Sequence, residues 1–450
     1  MSEQRSIVFL IYHGMGHFNA CFRLAKILKK KHEVVFAGIE SFKKYVESQG
    51  FMYYLLKTVP FGMGFEDWVN KQEKRKNVYW STLKDRWMNR LYALREKELH
   101  QLLHDIEPDY LLIDSFQSTD FIAAYPYLRG TSSKVGFIQT MLPMTIKHNC
   151  PPLNSGTFPD DIKGIKKAIK NVRRERVKKY FQQKVFYFGC SDDVLIKKQI
   201  KKNGLEKLYP STFETLRGIS FINLPELILA LREFDFKNNA APNSHYIGFM
   251  PDLQRLEIAH VEYFKVDSLI RSKLKDTNGT LLYCSFGTVK STDTRLVNQF
   301  LQKLINVVRD TNCVLIISSN SIHHDSTFVN IPENVFLLKA APQLEILARA
   351  DVFITHGGLN SLRESIYAGV PMLVYPPNKV YDNMGNSTRV VYHKIGLRGD
   401  LQQDSEQEIS DKIEDLINND IFKKNIQMLK EIDREYLTDA SNLLHSLQSV

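Results

Sequence analysis

The sequence predicts an α/β protein made of two doubly wound parallel sheets that face one another across a cleft. Three observations carry this. Short apolar runs alternate with helical patterns along most of the chain; the runs are continuous, as suits strands buried on both faces; and 450 residues, 43% of them hydrophobic, exceed the roughly 250 to 300 at which single cores stop growing. In the first half the runs are IVFLIY (7–12), EVVFA (33–37), YLLI (110–113) and KVGFIQ (134–139). In the second they are TLLYCSF (280–286), CVLIIS (313–318), NVFLL (334–338), DVFI (351–354) and MLVY (372–375). Alternation of such runs with helices means parallel βαβ units. The polar, proline-containing segment KNNAAPNSHY (237–246) reads as the linker between them. The expected domains are therefore 1–240 and 241–430, with a C-terminal helix at about 430–450 packing back on the first. Ligands of open α/β sheets bind beyond the carboxyl ends of the strands, which places a site in the cleft.

The opening run, IVFLIY, is short and no small-residue cleavage site follows it, so it reads as a buried strand and not as a leader. No stretch approaches the roughly 20 apolar residues of a membrane span. Cys21, Cys150, Cys190, Cys284 and Cys313 are odd in number, scattered and never in a C-x-x-C pair, which argues against a disulfide framework or a zinc site. A cytoplasmic protein in a reducing compartment is expected.

The net charge of +10 is concentrated. Residues 160–207 hold 15 Lys and Arg against 6 Asp and Glu, a net of +9. Within this segment Ile162, Ile165, Ile169 and Val172 recur at helical spacing beside Lys166, Lys167, Lys170, Arg173 and Arg174, a basic amphipathic helix over about 162–179. Two readings of it stand: a solvated helix with its apolar stripe on the core, or a peripheral contact with an anionic membrane. Nucleic acid is not expected as a partner, because no recognition-helix, finger or RNA-binding signature accompanies the charge.

Residues 353–376, FITHGGLNSLRESIYAGVPMLVYP, carry the chemistry. A strand runs into His356-Gly357-Gly358, and a helix follows from about Leu359 to Ala368. Two glycines let the backbone turn tightly and approach a ligand closely, while the helix N-terminus aims partial positive charge at the same point. An anion, most simply a phosphate, belongs there. His356 and Ser361 can donate to phosphate oxygens, and Glu364, one turn beyond Ser361, can accept from sugar hydroxyls. Taken alone, the Gly-Gly turn is equally well read as a tight βα connection.

With its flanks, this stretch resembles the donor-binding signature of the nucleotide-sugar glycosyltransferases of the first family, whose members share the GT-B fold of two Rossmann-like domains. The signature runs from Ala341-Pro342-Gln343 through HGGLNSLRES (356–365) to YDNMGNSTRV (381–390), and HGMGHFNACFRLAKILKKKHEVVFA (13–37) is similar to the family's Gly-His-x-Asn-Pro opening. ITHGGLNS and RVVYHKIGLRGD (389–400) look closest to the bacterial branch of macrolide and zeaxanthin glucosyltransferases. Residues 60–105 and 155–235 are largely unmatched.

The resemblance implies roles residue by residue. His17 matches the general base that takes the acceptor's proton, with His13 a competitor four positions upstream. Asp114 matches the carboxylate that orients it, with Asp120 an alternative. Ser285 and Thr288 match positions near the diphosphate, together with His356, Gly357, Gly358 and Ser361; Asn360 is a further donor-binding position. Gln343 matches the nucleoside contact, Ala341 is a further donor-binding position, and Glu364, Asp382 and Asn383 are the sugar contacts. Three positions depart from the pattern. Ala340 stands where plant relatives stack tryptophan on uracil, Asn383 where many have glutamine, and Ala20 where the opening has proline.

The implied function is an inverting transfer of a sugar, glucose first among the candidates, from a UDP-sugar to a hydroxyl of a hydrophobic or lipid-like acceptor, giving a β-glycoside. Met-, Phe- and Pro-rich loops at 59–68 and 138–152 offer Phe61, Met141 and Met144 as acceptor contacts, and Phe116 is a fourth candidate. No D-x-D triplet occurs, and neither a metal nor a cofactor is expected. A nucleotide-sugar epimerase of the same fold and a non-catalytic UDP-binding protein remain as alternatives.

Overall fold

The computed structural model describes residues 4–257, 261–277, 279–287, 293–319, 328–377, 381–436, 444 and 447–449. Its strands, in chain order, are β1 (Ser6–Leu10), β2 (Glu33–Gly38), β3 (Met52–Leu55), β4 (Tyr110–Asp114), β5 (Lys134–Gln139), β6 (Ser211–Thr212), β7 (Ser220–Phe221), β8 (Glu226–Ile228), β9 (Ser244–Tyr246), β10 (Leu281–Ser285), β11 (Val314–Ser318), β12 (Val335–Leu338), β13 (Val352–Thr355), β14 (Met372–Val374), β15 (Gly396–Arg398) and β16 (Gln448–Ser449). The first sheet runs β3-β2-β1-β4-β5-β8-β9 and the second β12-β11-β10-β13-β14-β15, while β6 and β7 form a separate antiparallel pair.

Side chains alternate across each strand, and both faces are covered. Val8, Leu10, Leu111 and Ile113 enter one core; Ile7, Phe9, Tyr110 and Leu112 enter the core on the other face. In the second sheet Leu281 and Tyr283 face one cluster, Leu282 and Cys284 another. Two buried faces explain why the runs are apolar throughout. The helix Met15–Lys29 shows the complementary pattern, burying Phe18, Cys21, Phe22, Ala25 and Leu28 at the spacing of one helical face.

In each sheet the strand order reverses next to the first strand laid down. The reversals lie between β1 and β4 and between β10 and β13, all parallel neighbours. Crevices open at such reversals, outside the carboxyl ends of the strands. His17 follows β1, Asp114 ends β4, Ser285 ends β10 and His356 follows β13, so all four stand at those two crevices.

Three expectations about segments are corrected. Residues 237–246 are not a free linker: Ser244–Tyr246 forms β9 and pairs with β8 at the edge of the first sheet. A polar segment with a proline is tolerated there, because an edge strand leaves one row of donors unpaired. The chain beyond the Ile421–Tyr436 helix returns to the first domain as a strand. Gln448 and Ser449 pair antiparallel with β5, and Leu444 and Leu447 are buried in that domain's core. Finally, the basic helix spans Ile162–Phe186. Ile165, Ile169 and Val172 lie against Ile146, while Ile162 is exposed. That stripe is therefore used for packing.

Candidate active site in the interdomain cleft

The front half of the site is built on the end of β4. Asp114 is fully buried; its Oδ1 accepts from the backbone N–H of Phe116 at 2.9 Å, and its Oδ2 accepts from His17 Nδ1 at 2.7 Å. Thr140 Oγ1, just past β5, lies 2.8 Å from the same ring nitrogen. With Nδ1 engaged, the proton sits on that side and Nε2 is the nitrogen left to accept one. The His17 side chain keeps 16% of its surface exposed, so Nε2 is reachable from the cleft. Phe116 and Tyr12 confine the ring edgewise, with centroids 5.3 and 5.1 Å away.

The two competitors separate cleanly. His13 stacks near Tyr12 and Phe65, and burial, followed by the charge of Arg95, pushes its pKa down to about 4. Asp120 is buried and held bidentately by Arg95, at 3.0 Å to Nε and 2.6 Å to Nη2. Both groups serve packing around the first crevice.

The rear half is built on the turn after β13. Gly357 has φ +88°, and a Cβ there would lie 2.8 Å from Val374 Cγ1, so both conformation and space require glycine. Gly358 has ordinary extended backbone, but a Cβ on it would lie 2.7 Å from His356 Nε2. The turn thus wraps closely around the His356 ring. His356 is 7% exposed, and burial, opposed by contact with the Ser285 backbone, pushes its pKa down to about 4. At neutral pH it is an uncharged imidazole with one N–H to donate. Behind it the Leu359–Ala368 helix anchors Leu359, Leu362 and Ile366 in the core, directing its free N-terminal amides toward the crevice.

Along this helix Gln343 Nε2 reaches Ser361 Oγ at 3.4 Å and Glu364 Oε2 at 2.7 Å. Arg255 Nη1 donates to Glu364 Oε1 at 2.7 Å. Gln343, Ser361 and Glu364 therefore form one cluster, with both oxygens of Glu364 already hydrogen-bonded. Asp382 is buried at the start of the Asn383–Tyr392 helix, accepting from the Asn386 side chain Nδ2 at 2.8 Å. Burial raises its pKa, opposed by that hydrogen bond and by the charges of His17 and Arg363, which puts the Asp382 carboxyl within electrostatic reach of the opposite wall. Asn383 is buried beside it, Ser285 lies on the crevice floor at 8% exposure, and Ala341 packs partly buried against the core. Thr288 lies outside the described residues.

Two contacts fix how the halves meet. Asn360 Nδ2 donates to Gly16 O at 2.6 Å, one residue before His17. Arg363 Nη2 donates to Thr140 O at 3.0 Å, the residue whose hydroxyl touches His17. Both run from the helix after His356 to the first domain. Among the expected acceptor contacts, Phe116 borders His17, and Met144 lines a cavity of about 270 Å³ with Ser115, Gln139 and Glu226. Met141 packs against the shared core. Phe61 does not reach the cleft: it is buried edge-on to Tyr92, centroids 4.9 Å apart, in the first domain's core.

Thr140, Arg255 and Arg363 were missed in the sequence. Thr140 had a signal, since it directly follows a strand whose carboxyl end faces the crevice. Arg255 sits in a loop and Arg363 on the buried face of a helix, and neither carried one.

No group of three His, Cys, Asp or Glu side chains disposed to hold a metal occurs among the described residues. The family described as "UDP-glucoronosyl and UDP-glucosyl transferase" matches residues 322–439, the segment that carries the His356 turn. An uncharacterized UDP-glucosyltransferase, YdhE of Bacillus subtilis (strain 168), is 22% identical over 445 residues, covering 96% of this chain and 95% of that one. Residues 322–439 thus carry a UDP-glycosyltransferase segment. A second relative, the uncharacterized UDP-glucosyltransferase YojK of the same organism, is 32% identical over 147 residues, 32% of this chain and 34% of that protein. Its match thus spans about a third of the relative's length. Among solved structures, the glycotransferase of kitacinnamycin superposes over 100% of both chains with a TM-score of 0.66 at 16% identity. That likeness shows the fold, the two-domain GT-B arrangement.

Proposed function

We propose that this protein is an inverting UDP-glycosyltransferase that moves glucose from UDP-glucose to a hydroxyl of a hydrophobic or lipid-like acceptor. The observation that carries the reading is the pairing of His17 with Asp114 at one crevice, joined through Gly16 and Thr140 to the helix behind His356 at the other. In the proposed step, His17 Nε2 takes the proton from the acceptor hydroxyl as its oxygen bonds to the anomeric carbon. The bond from that carbon to the diphosphate breaks, and its electron pair leaves with UDP. Attack opposite the leaving group inverts an α-linked sugar to a β-glycoside. Asp114 stabilises the imidazolium formed, a contribution of roughly 10²- to 10⁴-fold for base catalysis of this kind. The departing charge is met by the His356 N–H, the Gly357 and Gly358 amides, Ser361 and the helix N-terminus.

Gln343 contacts the nucleoside, and Asp382 and Asn383 the sugar. Glu364 is held in place by Arg255 and Gln343, so a hydroxyl it accepts from shares a carboxylate that is already oriented. The reaction proceeds without metal or cofactor in this reading, because fixed donors neutralise the leaving group. The acceptor lies toward Phe116 and Met144. The cytoplasmic face of a membrane is the proposed workplace, approached through the basic side chains of residues 162–179.

Mass spectrometry of products after incubation with UDP-glucose and a panel of hydrophobic alcohols and phenols tests this. A glucoside with release of UDP, unaffected by a chelator, is expected. UDP binding with neither transfer nor slow hydrolysis would favour a non-catalytic binding protein. Sugar isomerisation that survives His17→Ala would favour an epimerase.

A further inference from the structure

All three tryptophans of the chain are exposed, Trp68 at 47%, Trp80 at 61% and Trp87 at 79%. Aqueous surfaces seldom keep their largest aromatic side chains in water. Trp80, Lys84, Trp87 and Met88 recur at the spacing of one face of the Val78–Trp87 helix, and all four are exposed. A second stripe lies on the later half of the Ile162–Phe186 helix, where Val177, Phe181 and Val185 follow at intervals of four and are likewise exposed. It is distinct from the Ile165 and Ile169 stripe, which is consumed in packing.

The two helices that carry the stripes meet and are held together. Tyr79 donates from its hydroxyl to Phe186 O at 2.8 Å, with the rings 5.0 Å apart. On the inner side of the same helix, buried Arg86 bonds Glu66 at 2.6 Å, Asp192 at 2.7 Å and Cys190 O at 2.8 Å, and stacks on Tyr187 at 4.2 Å. One guanidinium thus clamps the segments on either side, leaving the apolar faces fixed outward. Lys178, Lys179 and Lys184 are exposed beside the second stripe, inside the segment that carries +9.

We propose that these two helices form a docking surface for an anionic lipid membrane. Tryptophan and phenylalanine on one face with lysines among them match the interface between headgroups and acyl chains. The charge decides against a second copy of the chain, since self-association through this face would bring two strongly basic segments together. The proposal extends the membrane contact above by giving it an apolar anchor; it does not require glycosyl transfer.

Flotation of the full-length protein with vesicles of phosphatidylcholine and phosphatidylglycerol, against vesicles of phosphatidylcholine alone, tests the surface. The protein should float with the anionic vesicles and remain behind with the neutral ones. Trp80→Ser with Trp87→Ser, and separately Lys178→Gln with Lys179→Gln and Lys184→Gln, should each weaken binding by about tenfold or more. Thermal midpoints and UDP binding should stay unchanged in both. The wild-type protein supplies an independent readout: its tryptophan fluorescence should be quenched by brominated acyl chains in the anionic vesicles. No flotation with anionic vesicles, no quenching, or a dimer that the tryptophan variants dissociate would each overturn the proposal. None of these readouts involves sugar transfer, so their failure is separable from failure of the transferase reading.

Discussion

At His17 one ring nitrogen is committed so that the other is free. The 2.7 Å contact with Asp114 sets the tautomer and the ring plane, and in the proposed reaction a neutral amide could not stabilise the imidazolium. Asp114→Asn is therefore predicted to lower transfer by about 10²- to 10⁴-fold, read as kcat with saturating donor and with UDP affinity unchanged. A second expectation concerns acid. His13 and His356 are both held near 4 by burial, against an ordinary 6.5. In this window the unfolded chain binds protons that the folded protein refuses. The stability each neutral ring contributes is present above 6.5 and is lost as pH falls toward 4, at most about 1.4 kcal/mol per pH unit per ring. Urea unfolding at pH 6.5 and 5.0 should show a loss that is smaller in His356→Gln; an equal loss in both proteins would count against the buried neutral ring. At this scale the sequence was only partly legible. His17 and His13 both follow the same strand, and only the three-dimensional placement of Asp114 separates them. Arg363 sits in a buried helical position where an apolar residue is the ordinary expectation.

Among the elements, the turn after β13 was the most legible, because a strand, two glycines and a helix leave few geometries open. Gly357 occupies the left-handed region against Val374. Gly357→Ala is predicted to lower unfolding stability by about 1 to 3 kcal/mol and to weaken UDP binding, checked by urea titration and calorimetry together. The strands were legible for a related reason. Continuous apolar runs such as VLIIS in β11 have both faces buried and admit no other reading at that length. Short elements at sheet edges were not legible. The β9 segment carries no apolar run, and its pairing with β8 is decided by the neighbouring strand and not by its own residues. The return of β16 to β5 likewise depends on contacts with residues more than 300 positions away.

On the scale of the whole molecule, the account requires two crevices to close on a shared sugar carbon. Resemblance supplied the partners and Asn360, but the second side chain of the seam between them, Arg363, gave no signal. Arg363 is buried, its pKa pushed down to about 10 by desolvation, and it spans from the helix after His356 to the Thr140 carbonyl. Arg363→Met should cost about tenfold or more in kcat through loss of alignment, with a smaller change in KM for the donor; steady-state kinetics that show the change in KM alone would contradict a role in alignment. The most direct test of the central claim is paired measurement of UDP binding by calorimetry and of transfer by product release in His17→Ala and His356→Ala. The account predicts that His17→Ala binds UDP like the wild type and loses transfer by at least about 10²-fold, whereas His356→Ala loses UDP affinity as well. Full transfer by His17→Ala, or unaltered UDP binding by His356→Ala, would contradict it.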